Sequence, residues 1–179
     1  DLYLEMYVLT IDESYLNKAI KIVTSIKEKF YDPLKGSFYN TQKEWDIAFA
    51  KSGIEYDTIF PSGKSLLYFV LNKLYIITGI EEMNALSLSI ENDTKDSINR
   101  NPIAFLSLIT FMMASEMVYK VEIEVKDVAL FKENRKGMAQ KNYFLPKIGG
   151  ELNLCNHNSC LANFRNIEEV IDYIKKLSI

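Results

Sequence analysis

Histidine and cysteine are scarce in this sequence, and each scarcity narrows what the chain does. A single histidine occurs, His157. Any Ser-His-Asp or Cys-His catalytic system has to be built on it, and no other part of the sequence points that way. The two cysteines, Cys155 and Cys160, are too few for a disulfide-rich secreted scaffold. Charge of one sign is nowhere concentrated: 21 basic and 24 acidic residues are spread along the chain, for a net charge of −3. Without a basic stripe, no nucleic-acid partner is expected. Long hydrophobic runs are also missing. The most continuous one, Ile103 to Ala114, is broken by Ser107 and Thr110. It falls short of the roughly 20 residues a bilayer-spanning helix needs, so no membrane partner is expected. The opening residues Asp1 to Glu5 carry no basic segment ahead of an apolar core, so no signal peptide is read and a cytoplasmic location is the default expectation.

What is present is a globular balance, 48% hydrophobic and 25% charged residues over a length of 179, enough for one ordinary domain. The first residues follow a helical pattern with no start signal before it, which leads to the expectation of a fragment. After a turn at Thr10 to Glu13, Ser14 is the expected cap of a second helix. In that helix Leu16, Ala19, Ile20, Val23, Ile26 and Phe30 form one apolar stripe opposite Lys18, Lys21, Lys27 and Glu28. Asp32-Pro33 ends it. From Ser62 the pattern changes: Leu66, Leu67, Phe69, Val70, Leu71, Leu74, Ile76 and Ile77 surround the helix axis, which requires packing on nearly every side. Thr78-Gly79 closes this helix, and a more polar one runs from about Glu81 to Ile98. Asn101 as cap and Pro102 in the first turn then predict a buried helix ending near Val118.

Buried helices alternating with amphipathic ones predict two layers of helical hairpins. A short internal repeat agrees: Met6-Tyr7-Val8-Leu9-Thr10-Ile11-Asp12-Glu13 resembles Leu74-Tyr75-Ile76-Ile77-Thr78-Gly79-Ile80-Glu81, each closing one helix and leading into the next. Beyond residue 118 the pattern shifts. Val121, Ile123 and Val125 alternate with charged residues as in a half-buried strand. Residues 142–148 and 151–155 read as two further strands, and residues 166–177 as a closing helix with Ile167, Val170, Ile171, Ile174 and Leu177 on one face. The expected organisation is a helical part over 1–118 and a small α/β appendage over 119–179 packed on it.

The loop from Glu55 to Ser65 is the strongest candidate site. Pro61 fixes its approach, Ser62 is placed to cap the next helix, Gly63 removes bulk, and Lys64 adds positive charge near free helix-start amides. A phosphate-binding P-loop is excluded, because its spacing and preceding strand are missing. Glu55 and Asp57 offer carboxylates, with Glu44 and Asp46 upstream, and sugar chemistry commonly uses such pairs. Solvated loop carboxylates are the plainer account of them. Trp45, Tyr56 and Phe60 are aromatic neighbours able to stack on a sugar face. The segment Cys155 to Cys160 gathers both thiols and the histidine. Three ligands are one short of a structural zinc site, a disulfide is allowed by the spacing, and free thiols in a turn are the plain reading. No metal and no cofactor is expected.

Asp57-x-x-x-Pro61-Ser62-Gly63-x-Ser65, followed by an apolar helix and Thr78-Gly79, resembles the motif D-G-A-x-P-S-G-N-S of the YyaL-like thioredoxin-domain proteins, which include spermatogenesis-associated protein 20. Asp32-Pro33-x-x-Gly36-Ser37-Phe38-Tyr39 is similar to that family's D-x-x-x-G-G-F-Y, and Cys155-x4-Cys160 to its closing Cys-x4-Cys, in the same order along nearly the whole chain. The resemblance implies the C-terminal part of such a protein: a mainly α partial (α/α)6 toroid, similar to six-hairpin glycosidases and N-acylglucosamine 2-epimerases, with the α/β appendage after it. It implies Asp57 as general base or ligand acceptor. It also implies a sugar-like or small polar ligand held by Trp45, Glu55, Tyr56, Pro61, Ser62, Gly63, Lys64 and Ser65. A structural role for Asp57, bonding the amides of its own Pro-Ser-Gly turn, is the alternative. Thr58, Ile59 and Lys64 depart from the motif, and residues 51–54 depart from an Arg-Pro-Lys-Glu stretch upstream. These departures imply a divergent, inactive copy. A half-toroid leaves apolar faces uncovered, so a homo-oligomer or association with an N-terminal partner chain is expected.

Overall fold

A computed structural model describes residues 1–42, 56–134, 143–157 and 159–177. The helical part opens with α1 (Leu2–Thr10) and α2 (Glu13–Phe30), followed by a two-residue ladder of β1 (Tyr31–Asp32) and β2 (Ser37–Phe38). Then come α3 (Gly63–Thr78), α4 (Glu81–Arg100), a 3-10 turn (Pro102–Phe105) and α5 (Leu106–Ser115). α1 packs on α2, and α3 packs on both α4 and α5. As its all-round apolar pattern requires, α3 is the most enclosed helix: Leu71, Leu74 and Ile77 have almost no exposure. It also carries two buried lysines. Lys73 is held by Asp1 at 3.1 Å and Glu5 at 2.8 Å, with its ammonium 4.3 Å from the centre of the Phe69 ring. The mainly α class holds.

Starts and stops follow local chemistry, with two corrections. Asp12, rather than Ser14, caps α2 by accepting the Ser14 amide at 2.9 Å. Asn101 makes no side-chain cap at the start of the helical segment that follows it. The short repeat is real in three dimensions. α1 ends with Ile11 at φ 56 donating to Tyr7 O at 2.6 Å, and α3 ends with Gly79 at φ 70 donating to Tyr75 O at 2.7 Å. In both, the preceding threonine hydroxyl donates one turn back, Thr10 to Met6 O and Thr78 to Leu74 O, and accepts the amide two residues on. Such left-handed closures usually carry glycine. Ile11 holds one because its side chain is buried in the second core.

That second core belongs to a four-stranded sheet in the order β4-β3-β5-β6, built from β3 (Val118–Ile123), β4 (Tyr143–Ile148), β5 (Leu152–Cys155) and β6 (Cys160–Phe164). β3 pairs in parallel with β4 and antiparallel with β5, and β5 pairs antiparallel with β6. α6 (Val128–Asn134) and α7 (Ile167–Leu177) bury Phe131, Ile167, Val170, Ile171 and Ile174 against it. The alternation expected to extend β3 to Val125 stops at Ile123, and Val125 sits exposed in a 3-10 turn. The two cores meet where Tyr7 of α1, fully buried, donates its hydroxyl to Pro146 O of β4 at 2.7 Å.

The helix expected to start at Pro102 and end near Val118 as a buried one is a 3-10 turn followed by α5, ends at Ser115 and is only half buried. Phe105 and Leu108 are enclosed, whereas Ile103, Leu106 and Met113 are 76%, 58% and 69% exposed. Nothing among the described residues covers that face. No described helix is long and apolar enough to cross a membrane.

Candidate functional site

Asp57 lies between the starts of two helices. Its Oδ1 accepts the Ser62 amide and the Ser65 hydroxyl, each at 2.8 Å, at the start of α3. Its Oδ2 accepts the Ser107 amide at 2.8 Å and the Leu108 amide at 3.1 Å, at the start of α5. Its own amide donates to Ala104 O at 2.9 Å. Burial alone raises the carboxyl pKa, but the bonds from Ser62, Ser65, Leu108 and Ser107 outweigh it and hold the group below the ordinary aspartate value. Two positive helix ends add to the same direction. An ionised carboxylate with both oxygens engaged by four donors takes up a proton only by giving up some of those bonds, which is a poor starting point for a general base.

Ser62, Lys64 and Ser65 turn inward as well. Ser62 is buried and caps α3 by accepting the Ser65 amide at 3.1 Å. Ser65 is buried beside it, its hydroxyl 2.8 Å from that of Ser62. Lys64 is buried, and its ammonium meets Asp93 Oδ2 of α4 at 2.7 Å. The same oxygen accepts the Ser37 hydroxyl of β2 at 2.8 Å, so one carboxylate joins the small hairpin, α3 and α4. Gly63 and Pro61 are exposed. Tyr56 is exposed too, with its ring edge-on to Phe105 at 5.5 Å. Glu55 and Trp45, like Glu44 and Asp46, lie outside the described residues.

Two hollows border Gly63. One, of about 260 Å³, is lined by Phe30, Phe38, Tyr39, Asn40, Lys64 and Leu67. The other, of about 400 Å³, is an apolar groove between α1, α2 and α3 lined by Leu2, Ile22, Val23, Leu66 and Val70 among others.

No family model matches this chain, and no curated protein matches it. The partners of Asp57 across the fold, Ser107 and Leu108, were not visible as such in the sequence. No signal in the sequence pointed to them, because Asn101 reads as the cap of that helical segment and only the structure shows its start to need another acceptor.

At the other end of the helices, Cys155 and Cys160 form a disulfide across the β5–β6 turn, so the reading of free thiols is corrected. The pair stands in register on neighbouring strands, which brings the two sulfurs together. The turn between them is closed by the Asn156 amide donating to Ser159 O at 2.8 Å and the Ser159 amide donating to Asn156 Oδ1 at 2.9 Å. It carries His157 over α3, with its ring 4.8 Å from that of Tyr75. Among the described residues, no group of three or more His, Cys, Asp or Glu side chains is arranged to hold a metal ion.

Proposed function

We propose that this chain is a divergent, non-catalytic helical module that associates with a second copy of itself through α5. One observation carries the reading. Leu106, Thr110 and Met113 on α5 are exposed and recur at steps of four and three, the spacing of a helix–helix seam, and Ile103 just before the helix and Met117 just after it are exposed as well. No charged side chain occurs between residues 101 and 115, so two copies of this stripe meet without like-charge repulsion. The occupied carboxylate of Asp57 supports the absence of catalysis. In this reading the chain is similar to the C-terminal part of a YyaL-like protein and belongs to a partial (α/α)6 toroid. An N-terminal partner chain on the same face is the competing occupant. A cytoplasmic location is not carried into the proposal, because a disulfide suits an oxidising compartment better.

Size-exclusion chromatography with light scattering tests it. A dimer that Met113→Glu and Leu106→Glu convert to a folded monomer is the expected result. A wild-type monomer across the accessible concentration range defeats the proposal.

A second reading is favoured by the hollow beside Gly63, whose lining mixes Tyr39, Asn40 and Lys64 with Phe30, Phe38 and Leu67. This mixture suits a small polar or sugar-like ligand. Thermal-shift screening with a sugar panel, repeated on Asn40→Ala, tests it. A shift that the variant loses supports the site, and the absence of any shift removes it.

A further inference from the structure

A third hollow, of about 220 Å³, lies between α3, α4, the end of α5 and the turn that carries His157. It shares no residue with the hollows beside Gly63. Its walls are unusually polar for their depth. Tyr68, Asn72, Ser87 and Ser115 line it, and each is more than nine-tenths buried. Buried polar groups of this kind are normally saturated by the protein or by ligand and solvent. Tyr68 donates its hydroxyl to Glu91 Oε1 at 2.6 Å, and burial, together with Glu91, pushes its pKa upward, so it stays a donor. Asn72 donates Nδ2 to Tyr68 O at 2.9 Å, which fixes the orientation of the amide. The Asn72 side chain also bonds to that of Tyr68 within the wall, and no donor from a described residue meets its Oδ1. Asn72, more than nine-tenths buried, thus brings an acceptor to the lining of the hollow.

The remaining lining residues share the same bias. Glu91 and Glu116 are carboxylates, Glu116 takes part in no ion pair among the described residues, and no lysine or arginine lines the space. The hollow thus presents acceptors and negative charge, with His157 at its mouth. A bare metal ion is a poor match, since His157, Glu91 and Glu116 do not converge as a ligand set. The volume corresponds to about seven waters of liquid, or a ligand of roughly the same number of heavy atoms or slightly more.

We propose that this hollow is a binding site for a compact organic cation with several N–H donors, a guanidinium or a primary amine. Its donors would meet Asn72 Oδ1 and the two glutamates. The disulfide holds the His157 turn in place over the hollow, so the site is shaped partly by a covalent bond outside its own lining.

Isothermal titration calorimetry with agmatine tests the idea, with the uncharged 1,5-pentanediol as the size control. Saturable binding of agmatine is expected, with the diol at least tenfold weaker. Glu116→Gln, a surface change that leaves the fold intact by circular dichroism, is expected to weaken agmatine by about tenfold, as is Glu91→Gln. Glu81→Gln, outside the hollow, is expected to change nothing. No saturable agmatine binding, equal binding of the diol, or affinity unchanged in both hollow variants overturns the proposal.

Discussion

Asp57 Oδ2 accepts the Ser107 amide at 2.8 Å, across a separation of 50 residues. With the Leu108 amide, this bond supplies the cap that Asn101 does not give to the helical segment ending in α5. The other oxygen caps the turn into α3. One carboxylate thereby locks two helix starts into a fixed relation, and its removal should act on stability.

Asp57→Asn is expected to lower unfolding stability by roughly 2 kcal/mol at neutral pH, since the amide replaces an ionised acceptor of four donors. The pH dependence has a definite sign. The folded carboxyl titrates below its ordinary value of 3.8. Its contribution is therefore fully present above the unfolded value and is lost as pH falls through the folded one. Urea midpoints at pH 7 and near pH 3 should differ more in wild type than in Asp57→Asn. Equal differences in the two proteins would mean the carboxylate is not the origin.

The paired helix endings give a second prediction. At Gly79 an added Cβ meets nothing within 4 Å, yet φ is +70. Gly79→Ala should cost about 1 kcal/mol from backbone conformation alone. Ile11→Gly relieves the same conformational cost but gives up a side chain buried in the second core, so a net loss of about 1–2 kcal/mol is expected. Thermal denaturation of both variants checks this. A gain in stability for Ile11→Gly would show that strain outweighs burial there.

Much of the fold was legible because it is written in local patterns. The stripe of Leu16, Ala19 and Val23, the all-round apolarity of α3 and the Ser62 and Gly79 boundaries each reflect chemistry within a few residues. α6 and β6 were missed. The first is only Val128–Asn134, too short for a helical period to declare itself, and the second presents the exposed Cys160 and Leu161 on an edge strand. The candidate loop was legible in its sequence but not in its connections. Which donors reach Asp57, and that Lys64 meets Asp93, depend on how α4 and α5 pack. The disulfide was one of several readings of Cys155 and Cys160 until β5 and β6 placed them side by side.

Removing the disulfide by Cys155→Ser with Cys160→Ser should cost about 2 kcal/mol, the amount expected for a short closed loop. Guanidinium titrations with and without reductant on wild type should reproduce the same difference. Identical midpoints would show that the β5–β6 turn keeps its shape without the bond.

Tyr7→Phe should cost about 1–1.5 kcal/mol, because it leaves the Pro146 carbonyl without its donor in the interior. Helical and sheet signals should still unfold in one coincident transition, since the two cores remain in contact. Separate transitions for the two signals would show that this hydrogen bond is what couples them.

The same residue pair also governs what can be added to the sheet. Among the described residues β4 is an outer strand, and Pro146 at its middle has no N–H to offer a newcomer. The carbonyl of that residue, the group a foreign strand would seek next, is already occupied by Tyr7 from α1. Both halves of the backbone's invitation are withdrawn at a single position, so the ladder is interrupted where it would otherwise propagate into a neighbouring molecule. Tyr7 therefore occupies a strand-edge acceptor as well as packing the core, one of the ways in which an exposed edge is made a poorer template.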